Sequence, residues 1–239
     1  SRLTVLTGSG NLRALTVLII FAVLAHATLK GILAPLRVWL GSVTLPMGEV
    51  SSLADVPGGA AVWAVVLALT CFAIAARSGI AWSKALWAGL LGLLVPAGWL
   101  GTGFVFQDEF DPIVMQSLSF TAPAADLLFW TVASSAIPAG FGVGLILGVV
   151  LGAAATSLSK REFQWQSFDT PKQTGRYFLG GTLMGVGGVL AGGCTVGAGL
   201  AGIASLSIAA LLALASIALG GWAIRALLSE EKSAALGAH

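Results

Sequence analysis

Residues 180–205, GGTLMGVGGVLAGGCTVGAGLAGIAS, are apolar enough for a bilayer, yet glycines 180, 181, 185, 187, 188, 192, 193, 197, 199 and 202 remove most of the side chains of an ordinary membrane helix. Glycine costs an α-helix about 1 kcal/mol per site relative to alanine. A stretch this rich in it needs a reason: neighbouring helices pack very closely, or the backbone breaks and approaches something. One thiol, Cys194, lies at its centre.

The rest of the chain fixes the solvent. Mean hydropathy is +0.95, and 57% of residues are apolar against 9% charged, whereas soluble domains carry about a quarter charged residues. Several continuous runs reach the ~20 apolar residues needed to cross the hydrocarbon layer. Because the runs do not alternate in polarity, a barrel is excluded. The fold class is an all-α integral membrane protein, a polytopic helix bundle. A net charge of +2 is too small to suggest nucleic acid as a partner. Cys71 and Cys194 fall in apolar segments far apart and read as free thiols. With His26 and His239 the only histidines and no CxxC, no metal site is expected.

From end to end the chain reads as one transmembrane domain, 1–239, with crossings at 14–33, 59–76, 85–100, 140–158 and 207–227. Residues 1–13 read as a lead-in carrying Arg2 and Arg13 around the turn Thr7–Asn11. His26 reads as a histidine hydrogen-bonded to a neighbouring helix, and Cys71 as a small apolar filler. The mixed stretch 34–58, with prolines 35, 46 and 57 and acids Glu49 and Asp55, reads as outer surface with a short amphipathic piece near Val38–Leu40. Pro96 predicts a kink in the third crossing. Residues 102–120 hold Asp108, Glu109 and Asp111 and no base, which places them on the periplasmic side. The connection 159–176 holds Lys160, Arg161, Lys172 and Arg176 against Glu162 and Asp169, and is cytoplasmic by the positive-inside rule. Charge leaves the side of the tail open.

Two further stretches carry organisation. Residues 121–137 read as a short or re-entrant helix, because their apolar piece Ala124–Ala133, fenced by Pro123 and Pro138, is too short to cross a bilayer. Either a half-helix that enters from outside with its N-terminus inward or an interfacial helix fits. Ser119 and Thr121 read as its caps, and Asp126 as a first-turn carboxylate suited to the helix dipole. Glycines 140, 144, 148 and 152 recur every fourth residue and predict a close helix–helix face.

Within 178–205, Gly192-Gly193 predicts the end of a short helix 181–191, with Cys194-Thr195-Val196-Gly197 as a turn and a second piece beyond. Non-helical backbone at membrane depth survives only where protein buries it or a watery cavity solvates it, and broken helices let transporters present backbone dipoles to ions. A helix start after Thr195 would offer N–H groups to an anion. Cys194 would add a weak S–H donor and a polarizable sulfur. A thiolate there would attack a sulfur–sulfur bond but would repel an anion, so a neutral thiol suits passage. A small residue at a crowded helix contact explains Cys194 equally well.

The segment GGTLMGVGGVLAGGCTVGAGLAGIASLS resembles the signature of the YeeE/YedE membrane family, sulfur-compound permeases implicated in thiosulfate uptake, whose repeated motif is a glycine-rich helix ending in Ala-Gly-Gly-Cys. TAPAADLLF at 121–129, SLSKREF at 157–163 and TGRYFLGG at 174–181 agree in order. The resemblance implies a bacterial inner-membrane permease, not an enzyme, passing a small sulfur oxyanion, thiosulfate first among them, without a cofactor. It implies discontinuous or re-entrant helices from a pseudo-symmetric repeat. Cys194 would contact the anion, Gly192, Gly193 and Gly197 would give space and exposed backbone, and Thr195 and Thr121 would offer hydroxyls. A cytoplasmic sulfur-carrier protein is an implied partner. The family's first half carries a second glycine–cysteine motif that is absent here. Because SRLTVLTGSGNLRAL resembles the stretch just behind the cysteine of that motif, at least one or two helices are expected to precede Ser1. The alternative is a structural or accessory subunit of a larger membrane complex. A membrane thiol enzyme forming a persulfide on Cys194 would lack a general base near that cysteine.

Overall fold

The computed structural model describes residues 2–42, 52–107, 113–136, 138–168 and 170–236, with side chains through 226. Glu49, Asp108, Glu109, Asp111 and Asp169 lie outside the described residues. Among the described residues the protein is helical throughout, with two isolated bridges and no strand. Six helical stretches are long and apolar enough to cross a membrane: Leu12–Leu29, Gly59–Arg77, Trp82–Val105, Phe141–Ser159, Pro171–Gly202 and Ile208–Ala226. The sequence predicts five. The sixth is the glycine-rich stretch itself.

The lead-in is helix α1 (Arg2–Gly8) and not a loop. It turns through Ser9-Gly10 into α2 (Leu12–Leu29), on which α1 and three later helices, of residues 34–41, 121–132 and 171–190, pack. Asn11 makes that turn by two side-chain bonds: its Oδ1 accepts the Ala14 N–H at 3.0 Å, capping α2, and its Nδ2 donates to Gln166 Oε1 at 2.7 Å. Arg13 Nε donates to the Ser167 carbonyl beside it. The N-terminal turn and the segment before residue 171 are thereby fixed at one end of the molecule.

After α2, Pro35 in the first turn opens α3 (Ala34–Gly41), where the sequence predicts a short amphipathic piece. Ser52 and Asp55 form a reciprocal capping box on the turn that precedes α4 (Gly59–Arg77). No residue of α4 is buried, and Cys71 on it is exposed, so the reading of that thiol as packing filler does not hold. Helix α5 (Trp82–Leu100) contains Pro96 and continues into a π-helical turn, Gly101–Val105. The connection expected from residue 102 therefore starts later.

The short helix α6 (Thr121–Val132) lies on α2. Ala124 packs with Phe21 and Ala22, flanked by Leu18 and Leu128. Farther along, Phe129 stacks on His26 with ring centroids 3.8 Å apart. Both contacts advance together, so α6 runs parallel to α2, and His26 meets its neighbour as a stacked ring. Neither predicted cap is made: the residue before the helix is Phe120, with no side-chain capping bond. Asp126 is exposed and falls beyond the first turn, so dipole capping does not explain it.

Helix α7 (Phe141–Ser159) packs on α6 and α1. A Cβ at Gly142 would lie 2.9 Å from Pro123 Cβ, and one at Gly8 would lie 2.7 Å from Ala153 Cβ. The predicted glycine face is not the one used. Among the described residues, nothing lies within 4 Å of a Cβ placed on Gly140, Gly144, Gly148 or Gly152. The close approach comes from single glycines, Gly8 against Val150, Ala153 and Ala154 of α7, and Gly142 against Pro123 of α6.

Candidate functional site

Helix α8 (Pro171–Leu190) is no short helix: Thr170 caps it, accepting the Gln173 N–H at 3.3 Å, and twenty residues rise roughly 30 Å. Lys172 and Arg176 belong to its first turns and not to the preceding connection. Its glycines have two separate uses. Gly181 and Gly185, one turn apart, press on α2. A Cβ at 181 would lie 3.1 Å from Val17 Cγ1, and one at 185 would lie 2.9 Å from both the Phe21 carbonyl oxygen and Leu24 Cβ. Backbone meets backbone here, where dispersion is the main source of helix association in lipid.

Farther along, the chain breaks. The Gly193 N–H donates to the Gly188 carbonyl at 2.8 Å and the Gly192 N–H to the Val189 carbonyl at 3.1 Å. These are the two bonds of a Schellman closure, with Gly192 at φ +71° in the left-handed position. Cys194 then has extended backbone (φ −85°, ψ −177°) and heads a π-helical segment, Thr195–Gly202, its carbonyl accepting the Ala198 N–H at 2.8 Å. π-Helical turns recur at functional sites because the wider ring misaligns backbone groups. Cys194 is free and half-buried, and Thr195 is exposed.

Across this turn lies the start of α6. A Cβ at Gly197 would stand 2.9 Å from Ser119 Oγ, and a Cβ at Gly188 would stand 3.4 Å from Thr121 Oγ1. Thr121 is 2% exposed and its Oγ1 is buried with no hydrogen-bond partner. Gly192, Gly193, Cys194, Thr195 and Gly197 thus follow one another through the break; Ser119 meets Gly197, while Thr121 meets Gly188, in the last turn of α8 before it. Sequence reasoning missed Ser119 as a neighbour of this turn. Its only signal, a hydroxyl two residues ahead of Thr121, reads equally as a cap.

Beyond the turn, the π-helical segment packs on α9 (Ile208–Leu236), with Gly202 against Ala210 and Gly199 against Leu214. The joint between them has Leu206 at φ +58°, and its carbonyl accepts the Leu53 N–H at 3.0 Å and the Ser52 hydroxyl at 3.2 Å. Ser207 Oγ accepts the Ala210 N–H at 3.4 Å. This repeats the α1–α2 joint. Each has a short helix, a residue of positive φ (Gly10 or Leu206), and then a polar residue, Asn11 or Ser207, that caps a long helix and bridges to a distant segment.

At the start of α8 is a concavity of about 440 Å³ lined by Thr170, Lys172, Gln173, Arg176 and Tyr177. Among the described residues no three His, Cys, Asp or Glu side chains come together to hold a metal.

Residues 1–223 match the sulphur transport family. The thiosulfate transporter TsuA of Escherichia coli (strain K12) is 33% identical over 156 residues, covering 61% of this chain and 41% of that protein. TsuA of Spirochaeta thermophila is 34% identical over 83 residues, 35% of this chain and 25% of its own length. The chain therefore spans less than half the length of these curated relatives. With the family match running through every element from α1 to the body of α9, this chain belongs to the sulphur transport (YeeE/YedE) family of multi-pass membrane proteins.

Proposed function

We propose that this chain, as a single transmembrane domain, forms the passage of a bacterial inner-membrane permease for a small sulfur oxyanion, thiosulfate first among them. One observation carries the reading. The closure at Gly192-Gly193 ends α8 just before Cys194 and leaves that thiol at the head of an irregular segment, directly across from the hydroxyl-bearing start of α6. In this reading Cys194 contacts the anion through S–H and polarizable sulfur. Gly192, Gly193 and Gly197 leave room and exposed backbone, and Thr195 and Thr121 supply hydroxyl donors. Helix α6 is then a re-entrant half-helix, its buried end at the passage. Passage requires no covalent step and no cofactor.

Charge supports an orientation. The Asn11–Gln166 pairing brings Arg13, Lys160, Arg161, Lys172 and Arg176 to one end of the molecule, which the positive-inside rule makes cytoplasmic. The cationic concavity at the start of α8 would hold the anion, or meet a sulfur-carrier protein, on that side. The joint at Leu206-Ser207 pairs with residues 52–53, which precede α4 at the opposite end. Helix α9 would accordingly run inward and put the tail in the cytoplasm, with residues 102–120 periplasmic.

The test is uptake of sulfur-35 thiosulfate by cells carrying the full-length gene, beside Cys194→Ala at matched membrane abundance. Uptake by the parent that collapses in the variant is the expected result. A well-folded parent without uptake would favour the second reading, an accessory subunit, for which the unburied α4 and the open Gly140–Gly152 face offer contact surface.

A further inference from the structure

Among the described residues near the break, one hydroxyl, that of Thr121, is both buried and without a hydrogen-bond partner. Thr28 and Thr102, as deeply buried as Thr121, donate their hydroxyls to the Leu24 and Gly98 carbonyls at 2.7 and 2.8 Å, the ordinary way for a threonine to spend its proton inside a helix. Thr121 has no such outlet. As the first residue of α6 it has no helical carbonyl four residues behind it, and its Oγ1 lies shut in without a partner. A buried unpaired hydroxyl is costly, so one kept beside the break calls for a polar partner such as an ordered water or a bound anion.

The position of that hydroxyl is informative. Thr121 abuts Gly188, whose carbonyl holds the Gly193 N–H; Ser119 abuts Gly197, in the first turn after Cys194. Thr121 therefore lies against the last turn of α8 before the break, and Ser119 against the first turn after the thiol. Any side chain at 188 or 197 would stand between them and the turn. The two glycines let the backbone close up against both hydroxyls.

We infer that Ser119 and Thr121 form the oxygen-recognising half of the anion site, so that a sulfur oxyanion lies with its oxygens on these hydroxyls and its terminal sulfur toward Cys194. This rests on the permease reading above and adds to it the residues that decide selectivity. The chemistry comes from the ligand. Thiosulfate has three hard, charge-bearing oxygens and one soft sulfur. Short O–H donors match the first, and a polarizable thiol matches the second. Sulfate, all oxygen, engages only the hydroxyl half.

The experiment uses the full chain and two readouts, sulfur-35 thiosulfate uptake in cells and sulfur-35 thiosulfate binding to the purified protein with sulfate as competitor. Thr121→Val keeps the shape and removes the hydroxyl; it is expected to raise the KM for uptake and the Kd for binding by about tenfold or more, with the maximal rate retained. Sulfate competition should weaken in parallel. Ser119→Ala should act in the same direction, and Thr121→Ser should restore parent behaviour, which mere packing at 121 would not predict. If the parent transports and both hydroxyl deletions keep the parent KM, Kd and sulfate sensitivity, the inference is overturned while the permease reading stands. If the parent binds thiosulfate in a Thr121-dependent way yet moves none, the inference stands and the permease reading falls. A folded parent that binds neither anion overturns the hydroxyl site.

Discussion

Gly193 donates its N–H to the Gly188 carbonyl at 2.8 Å, and this one hydrogen bond both closes α8 and delivers Cys194 into an extended backbone at the head of the π-helical segment. The bond needs the residue between the helix and Gly193 to turn left-handed, which Gly192 does at φ +71°. An L side chain there costs about 1–2 kcal/mol. Gly192→Ala is expected to lower the thermal midpoint of the purified protein and to reduce thiosulfate uptake at least severalfold. Gly187→Ala, on a helical residue with open space at its Cβ position, should leave both unchanged or slightly improved. Equal behaviour of the two variants would mean that the closure is not what positions Cys194.

The contact between α6 and the broken segment can be tested by chemistry. A Cβ at Gly197 would lie 3.4 Å from Ser119 Cβ, close to the ~3.5–4.5 Å spacing of cysteine pairs in disulfides. In a background carrying Cys71→Ala and Cys194→Ala, Ser119→Cys with Gly197→Cys is expected to cross-link under mild oxidation, read as a mobility shift after cleavage between the two positions. Ser119→Cys with Gly187→Cys should not. A missing cross-link in the first pair would separate α6 from the turn and remove Ser119 from the site.

Glycines on α8 and α7 look alike in sequence but should respond oppositely. Gly185→Ala places a methyl 2.9 Å from the Phe21 carbonyl oxygen and from Leu24 Cβ. Overpacking of this kind costs about 1–3 kcal/mol. Gly148→Ala meets nothing within 4 Å and gains helix propensity. Thermal unfolding in detergent should fall for the first and hold or rise for the second. A loss at Gly148 as large as at Gly185 would point to a protein neighbour on the α7 stripe.

The bridge between Ser52 and Ser207 gives a topological prediction. With the Leu206 joint held beside residues 52–53, α9 starts at the end of the molecule opposite Asn11 and Gln166. Single cysteines at Lys160 and Ser229, in a background without Cys71 and Cys194, should both react with a membrane-impermeant maleimide in inverted vesicles and both be protected in intact spheroplasts. Labelling of Ser229→Cys from the outside would reverse the assignment of α9.

Much of this was legible in residues alone. Continuous apolar runs dictated membrane helices because hydrocarbon leaves backbone polar groups no other partner. Gly192-Gly193 marked a helix end because left-handed backbone strongly favours glycine. The short apolar piece after Pro123 marked a helix too short to span, although α6 starts ahead of that proline, at Thr121, and ends at Val132, well before Pro138. The AGGCTVG and TAPAADLLF segments carried the family. These signals are local or compositional, and a local signal needs no knowledge of what lies across from it.

What the sequence left undetermined was in each case a question of neighbours. Two sets of glycines at four-residue spacing are equivalent on a helical wheel, yet only Gly181 and Gly185 meet another backbone, because α2 lies beside α8 while a Cβ at Gly140, Gly144, Gly148 or Gly152 meets nothing within 4 Å among the described residues. Ser119 and Thr121 read as caps until the fold set them against Gly197 and Gly188, residues far away in the chain. His26 found an aromatic face because α6 runs parallel to α2. Periodicity fixes which residues share a face, and only tertiary packing fixes what that face meets.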